Sequence, residues 1–315
     1  MIKTPLCNLL GIEYPIFQGG MAWISDARLA AAVSNAGGLG VIAAGNAPAE
    51  YVIDQIEKAK SMTNKPFGVN IMLLSPFVDD VARAVADKGV EVVITGAGNP
   101  SKYISFWKES GIKVIPVIPS SGIARKVERA GATAVVAEGG ESGGHVGDLT
   151  TMALVPQVCD AVDIPVIAAG GIGDGRGITA AFMLGAVGVQ VGTRFLAAKE
   201  CGIHQNYKDK VIKAKDTDTI ATGKRLGHPV RSLKNAFSRE FFSKEYDSSV
   251  TNEQLEEYGA GALQLAAVDG DERAGCFMAG QVAGLVKEEQ FAKEIIEHMF
   301  GEAEVLLCGA NKWIK

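Results

Sequence analysis

The chain has 315 residues, of which 47% are hydrophobic and 38 are glycine. This length is enough for one large α/β barrel with a modest appendage. The formal net charge of −5 argues against general nucleic-acid binding. No run of 18 apolar residues occurs and no secretory signal pattern opens the chain, so we expect neither a membrane span nor a signal peptide.

Two further features of the composition concern location and partners. The five cysteines have no close pairs and no metal-ligand spacing, which indicates a reducing compartment, and we expect a cytoplasmic protein. Between Lys208 and Arg239, nine basic residues outnumber three aspartates. This stretch is either a surface for an anionic partner or a solvated helix face.

Short apolar runs rich in Val and Ile recur along the chain, and each is apolar on both faces, as a buried parallel strand is. They predict eight strands, at residues 15–18, 39–43, 67–71, 92–95, 113–117, 134–137, 165–168 and 188–191. Amphipathic stretches between them predict helices at 26–35, 49–61, 77–88 and 121–130. Because this alternation requires right-handed crossovers, eight repeats predict an α/β fold that closes into a (β/α)8 TIM barrel.

The regular alternation ends after Phe195. Residues 199–271 are more polar, with helical patterns and no convincing strand. We predict that they form an inserted, mainly helical subdomain covering the active-site side of the barrel, which comprises residues 1–198 and 272–315. Residues 274–286 and 290–298 are predicted to be helical, with the first of these closing the barrel.

Two glycine-rich turns follow late strands, one running from Ala168 to Gly175 and the other from Gln190 to Phe195. Glycine lets backbone amides approach a ligand closely, and a helix N-terminus supplies unpaired N–H groups that suit a phosphate. A (β/α)8 barrel carries its phosphate site at the turns after its last strands. Two such turns hold one phosphate, which favours a mononucleotide over a dinucleotide.

Catalytic residues of such barrels lie at the C-terminal ends of the strands. His145 follows the sixth strand on a glycine-rich loop, and its side chain can exchange a proton near neutral pH. Asn70 lies in an apolar strand, where a buried amide needs partners, either a heteroaromatic ring or the backbone. Gly19 and Gly20 end the first strand, where they form either a platform for a flat ring or only a tight turn.

No paired carboxylates, Ser-His-Asp arrangement or metal-binding cluster occurs in the sequence, so no metal-binding residue is expected and the reactive group must come from a cofactor. Pyridoxal phosphate chemistry needs a Schiff-base lysine at a strand end. Lys65 and Lys113 precede their strands, so this alternative lacks its nucleophile.

The strand-end motifs resemble those of the nitronate monooxygenase-type flavoproteins. The similar segments begin at Pro15, Gly37, Gly68, Glu141, Ala168 and Gly192, and they read PIFQGGMA, GGLG, GVN, ESGGH, AAGGI and GTRF. Within that group the chain is most similar to the flavin-dependent enoyl-acyl-carrier-protein reductases of bacterial fatty-acid synthesis. The matching segments are spread over most of the chain.

The resemblance implies FMN at the barrel mouth and assigns His145 as the catalytic residue. Ring, ribityl and phosphate contacts are assigned to Gly20, Met21, Ala22, Asn46, Asn70, Gly171, Ile172, Gly192 and Thr193. The cofactor-binding set is completed by Glu138, Ser142, Gly143, Gly144, Ala169 and Gly170.

The resemblance also implies an activity and partners. The implied reaction is the reduction of trans-2-enoyl thioesters with NADPH or NADH, on substrates carried by acyl carrier protein. The basic stretch would meet either the acidic surface of that carrier protein or the 2′-phosphate of NADPH. The resemblance further implies a homodimer and relatives that respond to a monovalent cation, for which the sequence shows no ligands. The alternatives are oxidation of alkyl nitronates with FMN and O2, and a flavin-binding protein without turnover.

Overall fold

The structure, a computed structural model, describes residues 1–313. Its strands are β1 Ile16–Gln18, β2 Gly40–Gly45, β3 Phe67–Met72, β4 Val92–Gly96, β5 Lys113–Ile118, β6 Val135–Glu138, β7 Gly144–His145, β8 Val166–Ala169, β9 Gly188–Val191, β10 Thr219–Thr222 and β11 Val230–Leu233. All strands except β7, β10 and β11 form one parallel sheet, in the order β1-β9-β8-β6-β5-β4-β3-β2. Hydrogen bonds between β1 and Leu39, the residue before β2, complete the ring. The predicted (β/α)8 barrel is therefore confirmed.

Helices alternate with the barrel strands. They are α1 Pro5–Leu10, α2 Ala27–Asn35, α3 Ala49–Met62, α4 Val78–Asp87, α5 Ser101–Glu109, α6 Ser121–Arg129, α7 Thr151–Cys159, α8 Gly175–Met183, α9 Thr193–Leu196, α10 Gln205–Ile212, α11 Ala236–Glu245, α12 Asn252–Gly259, α13 Ala262–Gln264 and α14 Ala292–Cys308. Shorter 3-10 segments lie at Lys224–Leu226, Gln281–Leu285 and Ala310–Trp313, and a π-helical turn at Leu265–Asp269. No helix within residues 1–313 is long and apolar enough to cross a bilayer.

The barrel has an inner core and an outer core, because successive strand residues point to opposite faces of the sheet. In β6, Val136 joins the inner cluster with Phe17 and Ile94, whereas Val135 and Ala137 pack in the outer cluster. Fully buried aliphatic residues on both faces explain why the strands are recognisable as continuous apolar runs.

The region between α9 and α14 differs from the prediction because it contains strands as well as helices. Strands β10 and β11 form an antiparallel hairpin, and β11 also pairs with β7 in the loop after β6. The prediction of no strand in residues 199–271 was wrong. These strands have mixed polar sequences and faces of intermediate burial, and β11 pairs with the distant β7, so the apolar-run criterion missed them. The limits of the barrel and the subdomain at 198 and 272 remain a prediction.

The predicted helix at 274–286 is also wrong. Residues before Gly280 are not helical, and only Gln281–Leu285 forms a 3-10 turn. Glycine at 275, 280 and 284 weakens the helical alternative. The segment instead bonds to the hairpin, since Leu233 N donates to Phe277 O at 2.8 Å. The helix that completes the barrel is α14, which packs on α8: Gly175 N donates to Glu302 at 2.8 Å.

Candidate active site

The mouth of the barrel carries a layer of polar side chains on the inner faces of its strands. Gln190 pairs with the inward-facing Phe17, and Glu138 follows the inward-facing Val136 by two residues, so both point inward. Asn70 lies at the same level on β3, where its Nδ2 is 3.5 Å from Gly20 O. A Cβ at Gly20 would lie 2.3 Å from Asn70 Cβ, so only glycine fits there. Both Gly20 and Asn70 were predicted site residues, and the structure brings them together.

Gln190 was missed as a site residue. Its Oε1 is buried and accepts no hydrogen bond from residues 1–313. A buried acceptor without a donor is unfavourable unless a ligand or water supplies one. In the sequence, Gln190 is one residue of a strand-end motif and carries no sign of its orientation. Its side chain points inward because of the register of β9 against β1.

The turn after β1 is held by a buried hydroxyl. Ser25 Oγ accepts from Met21 N at 2.9 Å and from Gln18 Nε2 at 2.8 Å, and it lies 3.2 Å from Gly19 O. This network fixes Met21 and Ala22 at the mouth. Ala22 lies against Gly45 of the next strand end, and Met21 Sδ faces Gly192. Trp23, at the tip of this turn, has a φ of 64° and an exposed side chain.

The two glycine turns after β8 and β9 have the backbone required of a phosphate cradle. Gly170 and Gly171 have φ of 87° and 71°, a region that other residues rarely adopt. The amides of Gly171 and Ile172 donate to no group within residues 1–313. Gly192 and Thr193 begin α9, whose first N–H groups have no partner inside the helix. These free donors suit a phosphate, so the residues present fit FMN.

The loop carrying His145 packs against the turn after β8, and a neighbouring segment bonds to the turn after β9. Gly139 N donates to Ala169 O at 2.9 Å, and Gly280 N, on that neighbouring segment, donates to Thr193 Oγ1 at 2.8 Å. A Cβ at Gly143 would lie 2.6 Å from the Ala279 carbonyl carbon. The loop is also tied to α7, because Glu141 accepts from Thr151 N and Oγ1 at 2.9 Å. The structure therefore places the predicted residues of this loop beside the predicted phosphate turns.

Asn46 and Glu138, two of the predicted cofactor-binding residues, differ in their exposure to solvent. Asn46 is exposed in the turn after β2, and no hydrogen bond within residues 1–313 involves its side chain. Glu138 is partly buried at the end of β6, and desolvation there raises its pKa to about 7. The Ser142 hydroxyl lowers the pKa of this carboxyl by a smaller amount. Glu138 therefore keeps its proton to a higher pH than an exposed glutamate does.

His145 lies on β7 with its side chain exposed at the mouth. The pKa of its imidazole is lowered, first by desolvation and second by the neighbouring His228. The two ring centroids are 6.3 Å apart. His228 was not a predicted site residue, because it follows no barrel strand. A hairpin prediction from Gly223 and Gly227, which lie between the two mixed strands, could have found it.

Comparison with known proteins supports the same grouping. The family model "Nitronate monooxygenase" matches residues 3–86 and 77–302. The chain belongs to the nitronate monooxygenase family. It is therefore an enzyme, a flavin-dependent oxidoreductase, which confirms the resemblance found in the sequence motifs.

Solved structures and curated relatives match the chain over almost its whole length. The structure of FabK from Thermotoga maritima is 49% identical, covers 100% of both chains and superposes with a TM-score of 0.97. The nitroalkane oxidase from Streptomyces ansochromogenes is 30% identical over 97% of this chain and 99% of its own, with a TM-score of 0.87. A hydroxy-methyl-oxo-octahydroindene-carboxyl-CoA dehydrogenase of Mycobacterium tuberculosis is 35% identical over 100% of this chain and 99% of that protein.

Proposed function

We propose that this family member is an FMN-dependent enoyl-acyl-carrier-protein reductase of fatty-acid synthesis. The observation that carries the proposal is the full-length likeness to FabK, an enoyl-acyl-carrier-protein reductase, at 49% identity and a TM-score of 0.97. The site adds a chemical reason, because the loop that carries the imidazole of His145 packs against a turn with free amides.

The proposed reaction balances with one reductant and one proton. A trans-2-enoyl thioester and NAD(P)H with one proton give the saturated thioester and NAD(P)+, and the C2–C3 double bond is reduced. FMN, when bound, would supply the hydride chemistry that links the nicotinamide to the β-carbon. The remaining proton goes to the α-carbon, and this chain must supply it or polarise the thioester carbonyl.

The residues of the mouth have separate roles in this scheme. The amides of Gly171, Ile172, Gly192 and Thr193 would hold the phosphate. Gly20 leaves room for the flat ring beside Asn70. Either His145 donates the α-proton or it hydrogen-bonds the thioester oxygen as negative charge develops, and a positioned general acid contributes about 10²- to 10⁴-fold.

Substitution of His145 tests this assignment. We expect His145→Ala to lower kcat for enoyl reduction by roughly 10²- to 10⁴-fold while the visible spectrum of bound FMN stays unchanged. Anaerobic NADPH or NADH should still bleach the flavin in this variant, because hydride transfer to the ring needs no proton from His145. Full enoyl reduction by the variant would show that His145 is structural.

A second candidate function is the oxidation of alkyl nitronates with O2. It is favoured by the family model and by the 33%-identical protein of Staphylococcus saprophyticus, which is named a probable nitronate monooxygenase. Anaerobic mixing with NADPH and NADH separates the two activities. A monooxygenase flavin should remain yellow, whereas the flavin of a reductase should be bleached. Bleaching with no turnover of either substrate class would indicate a flavin-binding protein.

The proposal includes the partners and location expected above. The substrate would arrive on acyl carrier protein in the cytoplasm, where the five free cysteines stay reduced. A homodimer and a response to monovalent cations are further proposals. No cluster of three or more metal-ligating side chains lies within residues 1–313.

Two residues of the basic stretch are held inside the fold and are not available to a carrier protein. Lys208 is buried, and its Nζ donates to Ala198 O at 2.8 Å and to Glu289 at 3.1 Å. Arg225 is held by Val250 O at 2.6 Å and by Glu245 O at 3.0 Å. These two residues have structural roles. The exposed members without such contacts, Lys215, Lys224 and Arg239, are the ones we propose for the carrier protein.

A further inference from the structure

The small sheet above the barrel brings a second imidazole to His145. In this sheet, His145 of β7 lies directly opposite Val230 of β11. Directly opposed residues in an antiparallel pair share a face, and residues two positions away lie diagonally on that face. His228 is two positions before Val230, and its ring centroid is 6.3 Å from that of His145.

The position of His228 is set by contacts from two elements, the loop of His145 and helix α11. Val146 N donates to Pro229 O at 3.0 Å, which joins the loop of His145 to the residue after His228. Glu245 of α11 accepts from Gly223 N at 3.0 Å and from Arg225 N at 2.8 Å, which holds the start of the turn. These contacts of the hairpin therefore fix His228 beside His145.

The charged groups around this pair lie on four elements. His228 Nε2 is 3.9 Å from Glu256 Oε1 of α12. The turn itself carries Lys224 and Arg225, and the latter is held by main-chain oxygens. On β11, Arg231 donates to Gly140 O at 2.9 Å, and on α11 both Glu245 oxygens are engaged by the turn. Among these groups, His228 is the titratable side chain that interacts electrostatically with His145.

We propose that His228 is a positioning residue of the active site that acts through His145: a positive charge on His228 makes His145 harder to protonate. A protonated His228 repels a proton on His145, so His145 stays neutral to lower pH, whereas a neutral His228 removes that repulsion. The role of His228 in turnover rests on the proposed reductase function. Its electrostatic action on His145 does not.

Two opposite substitutions of His228 test the coupling. His228→Asn removes the charge, and His228→Arg makes it permanent. Two unit charges 6.3 Å apart interact enough to move a titration midpoint by about 0.5 to 2 pH units, for effective dielectric constants between 80 and 20. We expect the midpoint of His145 to be higher in His228→Asn than in His228→Arg by that amount. The measurement is the pH titration of the His145 ring nitrogens by NMR in the FMN-loaded full-length protein.

Two further variants serve as controls for the His145 titration. His298→Asn changes an exposed histidine on α14 and should leave the His145 midpoint where it is. His228→Gln serves as a second neutral variant if the asparagine variant is unstable, and it should give the same midpoint as His228→Asn. Equal His145 midpoints in the neutral variants and in His228→Arg would overturn the proposal.

A kinetic measurement separates this proposal from the proposed function. The pH profile of enoyl reduction should move in the same direction as the His145 midpoint, with kcat affected more than KM. A moved midpoint with no enoyl reduction at any pH would retain the coupling and reject the reductase function. A moved midpoint with an unmoved profile would overturn the role of His228 in the reaction.

Discussion

Glu138 shows how burial alone can tune a carboxyl group. It lies at the end of β6 with no basic partner among residues 1–313, and desolvation raises its pKa to about 7. Loss of the proton therefore places an uncompensated charge inside the barrel mouth, which is costly. The same property keeps an exchangeable proton beside the predicted FMN site at neutral pH.

The raised pKa predicts a specific dependence of stability on pH. Because the folded pKa of Glu138 lies above the ordinary value of 4.5, the folded state binds the proton more tightly than the unfolded state. The contribution of Glu138 is thus present below pH 4.5 and is lost as the pH rises through about 7. Glu138→Gln should abolish this loss and be more stable than the natural chain at pH 8, by on the order of 3 kcal/mol.

Urea unfolding of the cofactor-free protein checks this prediction. The free energies of unfolding of the two proteins should be similar at pH 4.5 and should diverge toward pH 8. A constant difference at all pH values would mean that packing or hydrogen bonding, and not ionisation, distinguishes the glutamine variant from the natural chain.

Helix α11 connects the hairpin to the segment that lines the mouth. Its N-cap, Asn235, accepts from Ser238 N at 3.0 Å, and its Nδ2 donates to Glu272 O at 3.0 Å and to Gly275 O at 2.8 Å. The side chain is buried, so all three contacts would be lost without replacement by bulk water. This one residue therefore links β11, α11 and the chain leading to Gly280.

Asn235→Ala is expected to destabilise the protein by about 2–4 kcal/mol, since it removes a cap and leaves the buried Gly275 carbonyl and the part-buried Glu272 carbonyl without their partner. Thr251→Ala is the matched control. Thr251 caps α12 with a similar capping box, but it is exposed, so its loss should cost only about 1 kcal/mol. The free energy of unfolding in urea measures both. Equal losses in the two variants would contradict the linking role of Asn235.

The whole molecule is acidic, with a net charge of −5, and yet it keeps exposed basic residues near the barrel mouth. Lys224 lies in the turn that carries His228, and no contact within residues 1–313 engages its side chain. Lys65 is equally exposed but precedes β3, at the opposite end of the barrel. An acidic carrier protein delivering substrate to the mouth would meet Lys224 and not Lys65.

Charge reversal should distinguish these two lysines. We expect Lys224→Glu to lower kcat/KM for a carrier-bound enoyl substrate several-fold at low salt and to make it less salt-dependent, because steering by exposed charges is screened by ions. Lys65→Glu changes the net charge equally and should have little effect. The measurement is kcat/KM for both variants and the natural chain across a salt series. Equal losses in the two variants would leave only net charge as the cause.

The barrel and its phosphate turns could be predicted from the chain because their signals are local. A strand buried on both faces must be largely apolar, as β8 is throughout, and a turn with positive φ needs glycine, as at Gly170 and Gly171. His145 was found for the same reason, since glycines surround it directly in the sequence. Its assigned contacts with FMN remain a prediction.

The remaining features depend on which segments meet in space. His228 reaches His145 only because β11 pairs with β7, and Gln190 points inward only because of the register of β9 against β1. Lys208 belongs to a basic stretch in the sequence but is buried against Ala198 and Glu289 in the fold. Each of these three features depends on contacts between segments that are distant in the sequence. The local sequence around a side chain does not show which distant segment it will meet, so only tertiary packing decided these features.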